Sequence, residues 1–268
     1  ITMKSNIFFA VLSLSCVVAN VKSDWTGSVK EIVDITRLNG SDMQQMSAAI
    51  FTGVTVNCNN AVSAPTHNSL LTPGNQCDQS EIPEFEKGRK DPKSFNVTDF
   101  LERFLNSKYG KKMVTEYGRK GVKLELLRKA LQQTWGFKQG KEDMTSAFER
   151  TFFDSSSDQT VRVNSWYSFV NYKSDCNNLE LDVNQKDEVY TVQASCDELG
   201  YTSTFVFPNS PYEDLVIYTL CAWKEDAENC FVDVPGGQGI KVDISYGYDN
   251  AGTGTYLDYA YVNSDDMI

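Results

Sequence analysis

The chain has 268 residues and a formal net charge of −11, with 36 acidic against 25 basic side chains and a single histidine. That balance argues against nucleic acid or an anionic membrane as the main partner, since both repel a negative surface. An apolar fraction of 41 % is enough to bury a full core, as one large domain or two small ones.

At the start, Lys4 precedes the apolar run Ile7–Ala19, and Val21 and Ser23 stand where a signal peptidase reads. This pattern predicts a secretory signal peptide over residues 1–23. The run is shorter than the roughly 20 apolar residues of a membrane-spanning helix, and no later stretch approaches that length. Ile1 and Thr2, ahead of Met3, read as translated upstream sequence. The mature chain is expected to begin near Asp24, to be secreted and extracellular, and to have no membrane span.

Removal of the leader takes Cys16 with it and leaves six cysteines, Cys58, Cys77, Cys176, Cys196, Cys221 and Cys230. An even count in an oxidising compartment reads as three disulfides. Nearest-neighbour pairing is expected. Leu179–Val183 and Val189–Ala194 read as strands around the turn Asn184-Gln185-Lys186-Asp187. If Val183 faces Val189, Cys176 faces Cys196 across the open end of that hairpin. Cys221 and Cys230 enclose the polar tip Lys224–Asn229, and Cys58 and Cys77 close a loop holding Pro65, Pro73 and Gly74. Two sequons, at Asn39 and Asn96, mark candidate N-glycans on the surface.

Charge and hydrophobic period divide the rest. Residues 24–80 carry −3, residues 81–153 carry +5 and residues 154–268 carry −15. The fold class expected is α+β: a mainly helical region over 24–153, with a disulfide-closed loop, followed by an acidic antiparallel β sandwich or small barrel over 154–268. In the first part, Trp25–Leu38 can open with a short helix and Asp42–Val56 is ambiguous. Glu84–Lys93 reads as a charged linker. Asn96 or Thr98 caps a helix with Phe100, Leu101, Phe104 and Leu105 on its apolar face. Gly110 and Gly118 punctuate the next stretch. Val122, Leu126, Leu127, Ala130 and Leu131 repeat at helical spacing, and a further helix carries Met144, Ala147, Phe148 and Phe152. From Asp154 the period becomes two. Strands are expected at Val161–Val170, Leu179–Val183, Val189–Ala194, Tyr201–Phe207, Leu215–Ala222, Phe231–Val234, Ile240–Tyr248 and Tyr256–Val262.

Few catalytic constellations survive inspection. His67 lies in the loop between Cys58 and Cys77, no G-x-S-x-G elbow or H-E-x-x-H is present, and one imidazole cannot build a histidine-rich zinc site. Gly136-Phe137-Lys138-Gln139-Gly140-Lys141 is one residue short of a phosphate loop and is followed by Glu142. Asp182, Asn184, Asp187 and Glu188 crowd one turn without the spacing of a calcium hand, so hairpin solvation accounts for them. No cofactor and no metal site is expected. A carboxylate hydrolase needs only a spaced acid pair and stays as an alternative. Gly88-Arg89-Lys90, Gly110-Lys111-Lys112 and Gly118-Arg119-Lys120 give a second alternative, a precursor cut at glycine-dibasic sites; glycine at helix ends is the blander reading.

Aromatic residues offer the best binding candidates: Trp166, Tyr167, Trp223, Tyr246 and Tyr248. Tyr246 and Tyr248 share the strand face of Ile240, Val242 and Ile244, which makes them core or cavity lining. Trp223 opens the polar tip between Cys221 and Cys230 and reads as a surface residue. The function expected is binding or structure outside the cell, with a protein, a glycan or a small apolar ligand as partner and no nucleic acid. Asn164-Ser165-Trp166-Tyr167, then Cys176 and the Leu179–Ala194 hairpin, resembles the opening strands of a lipocalin. Asn164 stands in place of that motif's usual glycine, and about 140 residues between Asp24 and Asn164 have no place in that fold. The resemblance implies an eight-stranded barrel around a small apolar ligand.

Overall fold

The computed structural model describes residues 36–52, 82–136, 146–153, 161–162, 164–166, 179–186, 189–196, 199–206, 209–225, 230–233, 239–248 and 255–263. The expected leader over residues 1–23, Cys58, Cys77, His67, Met144, Tyr167 and Cys176 lie outside them.

Helix α1, Gly40–Phe51, is capped by Asn39, whose side chain accepts from the Asp42 amide. It resolves the ambiguous stretch as a helix because Met43, Met46, Ile50 and Phe51 fall on one buried side. Helix α2, Ile82–Lys90, replaces the expected charged linker. Its Phe85 is fully buried, 5.3 Å from the ring of Phe153 and 5.4 Å from that of Phe100. One aromatic residue that pairs with Phe95, Phe100, Phe148, Phe152 and Phe153 outweighs the charges around it; such ring pairs contribute about 0.5–1.5 kcal/mol each beyond burial. The helix can approach so closely because residue 88 is glycine, where a Cβ would lie 2.5 Å from the Phe153 ring.

Helix α3, Val97–Asn106, starts at the Asn96 cap and buries Phe100, Leu101, Phe104 and Leu105, as its spacing predicts. Helix α4, Lys108–Arg119, follows after the single residue Ser107. Gly110 lies in the first turn of α4, where its amide donates to the Ser107 cap and a Cβ would sit 2.0 Å from the Phe104 carbonyl oxygen. Helices α5, Leu124–Gly136, and α6, Ala147–Phe152, add Leu127, Ala130, Leu131, Trp135, Phe148 and Phe152 to the core.

Among the described residues, the following part mixes strands with helix. Strand β1, Val161–Arg162, pairs in parallel with β4, Leu199–Val206, and the antiparallel strands β3, Val189–Cys196, and β2, Leu179–Lys186, complete a sheet of order β1-β4-β3-β2. Its hairpin is tighter than expected. Lys186 faces Val189 and Val183 faces Val192, so two residues separate the strands and Cys196 lies opposite Leu179. The symmetric placement of Cys176 against Cys196 therefore does not arise from this register. The second sheet has order β5-β6-β7, from Cys230–Asp233, Gly239–Tyr248 and Thr255–Val262. Neither sheet closes on itself among the described residues.

The expected strand Leu215–Ala222 is instead helix α7, Pro211–Ala222. A capping box starts it: the Ser210 hydroxyl accepts from the Glu213 amide while the Glu213 carboxylate accepts from the Ser210 amide. Pro211 at the first turn loses no hydrogen bond there. Pro211–Cys221 is buried on every side, so no helical stripe is visible in its sequence. This helix touches α1, α4 and α5 as well as β5, β6 and β7, and it joins the helices and the three-stranded sheet in one hydrophobic core. The Cys221–Cys230 disulfide, with Cα atoms 5.5 Å apart, ties its end to β5 as nearest-neighbour pairing predicts.

Candidate functional site

The three-stranded sheet has two unlike faces. Cys230, Val232, Ile240, Val242, Leu257, Ala260 and Val262 point into the core. On the other face, the register sets Phe231 opposite Lys241, Asp243 opposite Tyr261 and Ser245 opposite Tyr259. Phe231 is 43 % exposed. Tyr259 and Tyr261 are half-buried, with ring centroids 5.9 Å apart at 31°. Beside them the Asn263 amide donates to the Asp243 carboxylate. This face thus combines aromatic rings with a carboxylate and an amide.

The sheet is held in place from its β7 side. The register shifts between Ser245 and Tyr246, so Tyr259 and Leu257 are both paired and Asp258 between them is the extra residue of a bulge. The Asp258 carboxylate takes Arg150 Nε of α6 at 2.7 Å, and the Ala260 amide donates to the Thr151 hydroxyl at 3.1 Å.

The residues expected to bind ligand scatter. Trp166 is buried, and its backbone is helical rather than extended, unlike a lipocalin's opening strand. Trp223 is a core residue and not a surface one: it is 1 % exposed, its indole Nε1 donates to the Thr134 hydroxyl at 2.9 Å, and Tyr117 meets it edge-on. The cause is α7, which delivers Trp223 back into the core at its final turn. Tyr246 shares the face of Val242 and its partner Leu257, but it stands at the end of α7, where its hydroxyl donates to the Ala222 carbonyl, and it is 40 % exposed rather than core. Tyr167 and the side chain of Tyr248 lie outside the described residues. Sequence reasoning passed over Phe231, Tyr259 and Tyr261. The signal was there, since small or apolar Ala260 and Val262 alternate with Tyr259 and Tyr261. Asn39 and Asn96 are both exposed helix caps that accept through Oδ1.

Inside the molecule a second cluster surrounds Asp214. Asn209 Nδ2 donates to its Oδ1 at 3.0 Å, whereas Oδ2 and the nearby Ser165 hydroxyl complete no hydrogen bond of normal geometry. Burial pushes the carboxyl up to about 7, against hydrogen bonding from Asn209 and Ser165 that favours the charged form, and the neighbouring Glu213 adds to the rise. Tyr218, one turn on, donates its hydroxyl to the Asn164 carbonyl at 2.5 Å. Burial raises this phenol well above its ordinary range, with the Asp214 charge adding to it. Glu213 accepts from the Tyr109 hydroxyl as well as from Ser210. Apart from Asp214 Oδ2 and the Ser165 hydroxyl these groups bond to one another, and all are enclosed by core residues, an arrangement that fixes α7 in place. Among the described residues no three His, Cys, Asp or Glu side chains could share a metal ion, and no helix is long and apolar enough to cross a membrane.

The sequence matches no protein-family profile and no curated protein. Among solved structures the chain is similar in fold to one described as "The structure of XendoU: a splicing independent snoRNA processing endoribonuclease", with a TM-score of 0.57 at 12 % identity, over 84 % of this chain and 97 % of that one. At that identity the likeness concerns the fold alone.

Proposed function

We propose that this is a secreted, disulfide-bonded binding protein that engages an extracellular protein or glycan through the outer face of β5–β6–β7. The observation that carries the reading is the group Phe231, Tyr259 and Tyr261 on a sheet whose opposite face is core. Rigid rings give contact area at small entropic cost, and Asp243 and Asn263 beside them can take hydrogen bonds from a partner. The leader, the even cysteine count of the mature chain, the Cys221–Cys230 bridge and exposed sequons at Asn39 and Asn96 support an extracellular setting.

Other readings find less support. Endoribonuclease activity, named for the neighbour of similar fold, would ask a chain of net charge −11 to hold RNA with one histidine for acid and base work. A carboxylate hydrolase needs acids that face substrate, whereas Glu213 and Asp214 are enclosed. A precursor cut at glycine-dibasic sites conflicts with their helical setting: Gly88 and Gly110 sit in close contacts, and Lys112 and Lys120 hold α1.

Expression in a eukaryotic secretory host tests the setting. Protein in the medium should begin near Asp24 and lose mass with N-glycosidase; a chain kept inside the cell with its leader intact would refute it. On glycan and extracellular-protein arrays, binding should vanish in the triple variant F231S/Y259S/Y261S. Binding that persists in that variant removes the face from the proposal.

A further inference from the structure

Helix α4 and the turn after it carry a charge opposite to that of the molecule. Residues 108–123 hold six basic side chains and one acidic, in a chain of net charge −11. The arrangement is directional. Tyr109, Gly110, Met113 and Tyr117 form the buried side of α4. Lys108, Lys111, Thr115 and Arg119, three and four residues apart, lie along the opposite side, and all four are exposed. With a rise of 1.5 Å per residue the stripe covers about 16 Å, and the exposed Lys120 and Lys123 extend it past Gly121.

The charges of this stripe are not spent equally. Glu116, the one acid, lies on its flank and takes Arg119 Nη1 at 2.6 Å. Lys120 reaches Asp42 of α1 at 2.6 Å. Lys112 turns off the stripe to donate to the Ala49 and Thr52 carbonyls at the end of α1. Lys108 lies over the Tyr109 ring, with its ammonium 4.9 Å from the centroid. Lys111 and Lys123 enter none of these contacts and stand exposed.

We propose that this stripe binds a linear sulfated glycan. A straight row of cations on one helix complements a straight polyanion, and the rest of the acidic molecule repels it, which fixes the place of contact. RNA fits less well. Proteins that grip single strands stack bases on aromatic rings, whereas Tyr109 and Tyr117, the aromatic residues of α4, are 3 % and 0 % exposed. The choice of an extracellular glycan rests on the secreted reading; the cation stripe does not.

Heparin is the probe, as an immobilised chain and as free oligosaccharides titrated into the purified full chain. Despite its acidic balance, the wild-type protein should be retained at about 0.15 M salt and released as salt rises. K111E/K123E should bind the oligosaccharide at least about tenfold more weakly, with an unchanged far-UV spectrum and melting temperature. K87E, an exposed reversal on α2, should elute with the wild type. Flow-through of the wild type, or co-elution of K111E/K123E with it, overturns the proposal. So does single-stranded RNA that binds the stripe as tightly as heparin of equal charge. A chain that fails to leave the cell would remove the extracellular setting without moving any of these elution positions.

Discussion

Helices α4 and α7 each have 12 residues and a serine cap, and both pack into the same core. They differ in how much of their circumference is covered. Tyr109, Met113 and Tyr117 bury one side of α4 and leave the other to cations and water, whereas α7 is enclosed from Pro211 to Cys221. The comparison teaches that burial on all sides removes the pattern by which a helix is recognised. An apolar run such as Leu215-Val216-Ile217-Tyr218 then looks like a strand. What marks it as a helix is local chemistry at its start, Ser210-Pro211-Tyr212-Glu213.

The largest contrast should come from truncation. Ile217→Ala on α7 leaves a cavity with nothing to fill it and is expected to cost about 2–5 kcal/mol in urea unfolding, against less than about 0.5 for Lys111→Ala on α4. Equal costs would mean that α7 is not the centre of the core.

The carboxyl of α7 gives a pH test. Its folded value of about 7 lies above the ordinary 3.8, so the folded state holds the proton more tightly than the unfolded one. Stability from this group is therefore complete below the unfolded value, declines as pH rises between the two, and levels off above the folded one. The loss is on the order of 4 kcal/mol at most. Asp214→Asn keeps the acceptor for Asn209 and offers Ser165 a donor. The variant should melt higher than the wild type at pH 8 and show a flatter profile between pH 4 and 8. A wild type whose profile matches that of Asp214→Asn would show that folding does not raise this carboxyl above its ordinary range.

The smallest effect separates the two caps. Ser210→Ala breaks a buried reciprocal pair and should cost about 1–2 kcal/mol, whereas Ser107→Ala at the half-buried start of α4 should cost about 0.5–1. The reverse order would place the start of α7 nearer to solvent.

Much of the fold was legible. Asn96 and the Phe100–Leu105 spacing define α3, and strict alternation over Ile240–Ile244 defines β6. The Cys221–Cys230 bridge follows from chain proximity. The candidate face was half legible: alternation of tyrosine with Ala260 and Val262 assigns the faces of β7, but not which one meets core. Trp223 and Tyr246 exchanged their expected environments for reasons that lie elsewhere in the chain. One is carried by a helix that reads as a strand, and the other meets the end of that same helix, where its hydroxyl reaches the Ala222 carbonyl.

The sequence by itself determined what depends on near neighbours along the chain: the caps, the amphipathic helices, the alternating strands and the net charge of each block. Only the tertiary structure decided what depends on distant residues. The Phe85 ring draws a charged segment into the core because Phe95, Phe100, Phe148, Phe152 and Phe153 converge there. The β6–β7 register places Tyr259 and Tyr261 outward, and the enclosure of α7 raises one carboxyl toward neutrality. The physical reason is common to all three. Burial is set by what packs against a side chain, and the packing partners lie tens of residues away.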